Sequence, residues 1–136
     1  MADFTFVKSL VGDVPEMKIG KAHAALERGD IGYFTSNRIA KVADNAAQHD
    51  LVLVMSDASA QDDDVEYMWL DEWVLIEGSV KGTIAAVGQS VHIDVTSNNI
   101  KFELDGTTQA LARFIVREVT GASTVRATRT PQRNAT

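Results

Sequence analysis

Val91-His92-Ile93-Asp94-Val95-Thr96-Ser97-Asn98-Asn99-Ile100-Lys101-Phe102-Glu103-Leu104 is the stretch whose reading decides the fold class. Val91, Ile93 and Val95 alternate with polar residues, and Ile100, Phe102 and Leu104 do so again after Ser97-Asn98-Asn99. A period of two places each apolar set on one face of a strand, so the stretch predicts a hairpin with one buried side, ended by Asp105-Gly106. Downstream, Ala112 to Val119 predicts a last strand, with Phe114 and Val116 on one face and Ile115 on the other. Upstream, Glu66 to Val80 predicts two strands, or one long bent strand, closed by Gly78. Leu51-Val52-Leu53-Val54-Met55 is apolar at every position, as a strand buried on both faces must be.

Farther out the same texture continues. Ile31-Gly32-Tyr33-Phe34 and Arg38-Ile39-Ala40-Lys41-Val42 flank Ser36-Asn37, the spacing of a tight hairpin. Met17-Lys18-Ile19 and the opening segment, about residues 3–10, add two more short strands. Lys21 to Arg28 holds good helix formers but is too short to stand as an isolated helix, and it stays open between helix and loop. Ser56 to Asp64, rich in Ser, Ala and Asp, reads as an exposed loop. The expected fold is all-β or mainly β: a small barrel or sandwich of short antiparallel strands, with at most one or two short helices and extended termini.

The 136 residues predict one domain over residues 1–120, including an N-terminal arm, followed by a basic flexible tail over 121–136. The formal charge is −6; Gly121 to Thr136 carries three arginines and no acid, so residues 1–120 hold −9. An acidic body argues against direct nucleic-acid binding, whose affinity comes mainly from Lys and Arg on phosphates. The absence of cysteine excludes disulfides, thiolate zinc sites and a cysteine nucleophile. No apolar run is long enough to span a membrane as a helix. The start, Met-Ala-Asp-Phe-Thr-Phe, lacks the basic and apolar regions of an export signal.

The chemistry-bearing residues are sparse. His23, His49 and His92 each stand alone in their segments, so no metal site, cofactor or catalytic constellation is expected, and the chain reads as a non-enzyme. His92 falls on the outward side of its strand and reads as a solvated surface histidine. Asp62-Asp63-Asp64, with Asp57 and Glu66, reads as a solvated acidic loop, with a cation site the sharper alternative. Tyr67, Trp69 and Trp73 occupy odd positions and would share one face of a straight strand. They would fill the core, anchor a subunit interface or form a sugar-stacking platform.

Gly29-Asp30-Ile31-Gly32-Tyr33-Phe34, the hairpin after it, the apolar Leu51 to Met55, the approach from Gly82 to Gly88 into Val91–Val95, and the closing Phe114-Ile115-Val116-Arg117-Glu118-Val119 together resemble the head proteins of tailed bacteriophages. The resemblance is one of order and texture over about residues 15–120. It implies a capsid decoration, or cement, protein: a β-rich homo-oligomer, trimer favoured and dimer possible. Such a protein binds the phage major capsid protein on the outer surface of the virion, after assembly in the host cytoplasm. The interface candidates come from the residues themselves: Tyr67, Trp69 and Trp73 for subunit packing, Phe4 and Phe6 for an N-terminal arm, and Arg126, Arg129 and Arg133 for a C-terminal one. The competing expectation is a small-molecule or carbohydrate-binding β-barrel module.

Overall fold

The computed structural model describes residues 4–12, 14–43, 50–82, 86–96, 99–104 and 113–130. It is all-β: the described residues form eleven strands and no helix. These are β1 (Thr5–Ser9), β2 (Lys18–Lys21), β3 (Ile31–Thr35), β4 (Arg38–Lys41), β5 (Leu51–Val54), β6 (Asp64–Trp69), β7 (Val74–Lys81), β8 (Ser90–Thr96), β9 (Asn99–Leu104), β10 (Arg113–Val119) and β11 (Thr124–Arg129).

One sheet runs β1-β7-β11-β10-β8-β9 and closes on itself, because β9 also pairs parallel with β7 at Val80↔Phe102 and Lys81↔Glu103. β7 to β11 thus make a closed five-stranded barrel, with β1 added beside the first half of β7. The hairpin read from the sequence is β8–β9, paired from Val91↔Leu104 to Thr96↔Asn99. Its alternation does what the period required: Val91, Ile93, Ile100 and Phe102 are fully buried. A barrel this narrow is filled by side chains, and Phe102 and Phe114 meet inside it at 5.2 Å.

The second sheet runs β2-β6-β5-β3-β4. Ile31, Leu51, Leu53, Met68 and Leu70 join the barrel's residues in one core, while Val52, Val54, Val65, Tyr67 and Ile39 form a second cluster. Leu51 to Val54 is therefore buried on both faces, as its composition demanded. The β3–β4 hairpin turns at Ser36 (φ 50°) and Asn37 (φ 63°), the paired left-handed angles of a tight turn whose twist matches its strands.

The structure settles one reading that the sequence left open and refines two others. Lys21 to Arg28 is not helical: after β2 it runs as a loop, its Leu26 exchanging two backbone hydrogen bonds with Ala58 at 2.9 Å each. That pairing draws Leu26 and Ala58 over the second cluster, so the 56–64 loop is buried at Ala58 although most of it is exposed. The tail begins with a strand, for Thr124–Arg129 pairs with both β10 and β7 inside the barrel. Val125 and Ala127 supply the inward alternation there, on side chains so small that the composition hid it. Residues 131–136, and with them Arg133, lie outside the described residues, as do Asn45 to His49 and Asp105-Gly106.

The N-terminal arm is also corrected at its anchor. Phe4 is buried, with its ring 4.8 Å from Phe102, edge to face. It occupies the space left by Gly78, where an added Cβ would stand 2.5 Å from the Phe4 ring. Phe4→Ala is expected to lower stability by about 3 kcal/mol or more in urea denaturation, as core Phe deletions do, whereas a free arm would show almost no change. A chain ending at Thr120 is expected to give no cooperative unfolding transition, while one ending at Thr130 retains it, because only the first removes a barrel strand.

Candidate functional site

The predicted site residues divide between core and surface. Phe4 is in the core; Phe6 packs against it from β1. Arg126 and Arg129 belong to β11 rather than to a free arm. The Arg126 Nε donates to Glu77 at 3.1 Å, and its Nη1 to Glu118 at 3.4 Å, so it ties β11 to both neighbours. Arg129 is buried: its Nη1 donates to the carbonyls of Arg113 and Thr130, and the guanidinium lies 5.8 Å from the centre of the Phe114 ring. Burial pulls its pKa below the ordinary value.

The aromatic trio does not share one surface. β6 ends at Trp69, and Asp71 then turns the chain by accepting the Trp73 N–H at 2.8 Å. Trp73, exposed, instead receives the Leu10 N–H on its carbonyl at 2.7 Å. Tyr67 is buried and Trp69 is 38% exposed; both are joined by Phe34 of β3, 36% exposed, which the sequence reading did not single out. Ring centroids are 5.3 Å apart for Phe34–Tyr67, 5.4 Å for Phe34–Trp69 and 5.9 Å for Tyr67–Trp69. Register explains the grouping, since Val52 lies between Gly32 and Trp69, placing alternate residues of β3, β5 and β6 on one face. Alternation within Ile31 to Phe34 was the available signal for Phe34. Its cross-strand neighbours were not readable.

The acidic loop is exposed, as read, and its carboxylates also hold partners within the fold. Arg38 grips Asp62 through Nε at 2.6 Å and Nη2 at 3.3 Å. Asp63 accepts the Ser59 and Ala60 N–H groups, Asp57 accepts the Arg28 N–H, and Lys21 binds Asp64 at 2.6 Å. The Arg38 hydrogen bond holds the Asp62 carboxyl below its usual range. Each carboxylate is spent on a different group, so they do not converge, and among the described residues no cluster of His, Asp and Glu could hold a metal ion.

His92 points outward as read but is buried, its Nε2 3.0 Å from Glu103. Beside it, Lys81 donates to Asp94 at 3.2 Å and to Thr96 at 3.3 Å. This network lies on the outer side of β7, β8 and β9, where adjacent strands bring opposite charges together. A cleft of about 270 Å³ opens elsewhere, between β1 and β5, lined by Phe4, Thr5, Phe6, Arg28, Leu53 and Met55 among others. Its lining holds one ionisable side chain, Arg28, and no acid–base pair.

Asp30 is the buried charge of the second sheet. Its Oδ2 accepts the Glu27 N–H at 2.8 Å, while Oδ1 has no hydrogen bond and lies 3.8 Å from the Lys41 ammonium. Burial raises its pKa, against the opposing pull of the Glu27 N–H and of Lys41. A carboxyl whose folded pKa is raised contributes its stability below the unfolded value and loses it as pH rises through the folded one. Asp30→Asn keeps the acceptor for Glu27 and removes the buried charge. Its stability relative to the parent chain is therefore expected to improve as pH rises from 4 to 7 in urea titrations; Lys41→Met should shift the balance the opposite way.

No protein-family model matches the chain, and no curated protein matches it.

Proposed function

We propose that the chain is a capsid decoration protein, a homo-oligomer that binds the outer surface of an assembled tailed-phage head and bridges its major capsid subunits. The observation that carries the reading is the exposed Phe34–Trp69 pair, backed by buried Tyr67 on the second sheet. Large aromatics fixed by their neighbours bury much area at little entropic cost, which suits a protein contact. The resemblance of the sequence, in the order and texture of its segments, supplies the partner class. Contact is assigned to this face rather than to Phe4, Arg126 and Arg129, which are engaged within the fold.

The mechanism is multivalent bridging. An oligomer holding several capsid subunits gains effective concentration at each further contact. Binding the assembled shell, and not free subunits, then favours that shell by mass action. No bond is made or broken.

Purified protein mixed with undecorated heads from a panel of tailed phages is expected to co-sediment with one of them and raise its rupture temperature. Trp69→Ala and Phe34→Ala should each weaken that binding by about tenfold or more with the fold unchanged, as interface anchors do. Failure to sediment with any head would overturn the proposal. The cleft at Phe4 and Phe6 favours a second reading, a small-molecule site with Arg28 as its one charged group. Saturable shifts of Phe6 and Met55 resonances on titrating small aromatic carboxylates would support it.

A further inference from the structure

β2 is an edge of the second sheet: it pairs with β6 alone, apart from the single bridge Ala22↔Ile39 at its far end. Ala22 sends its N–H toward Asp63, on the β6 side, and His23 sends its N–H to Ile39, on the other. Backbone groups alternate along a strand, so those of Ile19 face the same way as His23, away from β6, and extending β2 by one residue at its start would aim those of Met17 the same way. Among the described residues no strand pairs with them there. The side chains beside this open edge are apolar and uncovered: Val14 is 78% exposed, Met17 49% and Ile19 69%. An open apolar edge is a template for another strand.

Charge selects the occupant. Lys18 shares the Tyr67 face, and Glu16, two residues earlier, meets it at 3.5 Å. We infer that two copies of the chain pair their β2 edges antiparallel about a two-fold axis at Met17. In that register Glu16 lies opposite Lys18 of the partner subunit, and Lys18 opposite the partner's Glu16, so both charges are matched across the interface. On the other face Met17 meets the partner's Met17, and Ile19 lies opposite the partner's Pro15, which makes one continuous apolar strip. Met17 exchanges both backbone hydrogen bonds with its counterpart, and the Ile19 N–H reaches the carbonyl of the partner's Pro15. Pro15 has no N–H to donate, which limits how far the ladder extends.

The neighbouring registers are worse. An axis at Lys18 sets two ammonium groups against each other, and an axis at Ile19 sets Met17 against the partner's Lys21 and leaves Glu16 without a match. A two-fold contact of this kind closes as a dimer and grows no further. The inference goes beyond the capsid reading and does not depend on it: it concerns how copies of the chain meet, whatever they then bind.

Sedimentation velocity of the full chain is expected to show a dimer. Glu16→Lys and Lys18→Glu should each weaken it by about tenfold, since each sets like charges directly opposite. An equal mixture of the two variants should recover the dimer, because the heterodimer restores opposite charges across the interface, which a pairing within one chain would not do. The chain has no cysteine, so Met17→Cys gives a clean second readout. Directly opposite residues of a hydrogen-bonded pair sit about 5.5 Å apart at Cα, within disulfide reach. Oxidised Met17→Cys should form a covalent dimer and Val14→Cys should not. A monomer at the highest soluble concentration, a trimer, a dimer indifferent to both charge reversals, or a mixture that stays dissociated would each overturn the inference.

Discussion

The barrel depends on the short parallel contact between β7 and β9, at Val80↔Phe102 and Lys81↔Glu103. Closing five strands removes the open edges of the sheet but obliges β7 to serve β11 along one side, and β1 and then β9 along the other. The handover falls near Gly78, where the missing side chain admits the Phe4 ring against Phe102. Closure, the seating of the N-terminus and the packing of the largest aromatics are thus one constraint met by one glycine. Outside the barrel wall, Lys81, Asp94, His92 and Glu103 meet because the same closure brings their three strands together.

The second sheet solves its burial differently. It does not close through a full ladder, and its second cluster is covered instead by Leu26 and Ala58, two loop residues that pair backbone to backbone. The carboxylates of the 57–64 loop serve this cover. They cap its N–H groups and clamp it to Arg38 and Lys21, which is why a run of acids with metal-site composition carries no metal-site geometry. Where neither barrel nor loop reaches, aromatic and apolar surface stays exposed at Phe34 and Trp69 and along β2. Those uncovered surfaces carry the functional proposals.

Legibility followed the strength of the local signal. The β8–β9 hairpin, the tight turn at Ser36-Asn37 and the doubly buried β5 were readable because period, turn residues and composition all agreed there. β11 was not. Val125 and Ala127 bury little area, and the arginines between and after them resemble a solvated tail until Glu77, Glu118 and two backbone carbonyls are seen to engage them. Spacing put Tyr67, Trp69 and Trp73 on one face of a straight strand, but β6 ends at Trp69 and Asp71 turns the chain, so Trp73 lies apart and Phe34 completes the cluster.

What the sequence determined by itself was the class of structure. Alternation with period two, repeated at short intervals without cysteine staples or long apolar runs, leaves an all-β body as the way to bury this chain's apolar residues. What only the tertiary structure decided was which charges and rings are already engaged by partners within the fold. Arg126, Arg129, Asp62 and Phe4 look available in the sequence, and each is consumed by a partner tens of residues away or on another strand. Pairing of that kind depends on register and closure, which are properties of the whole sheet and of no single segment.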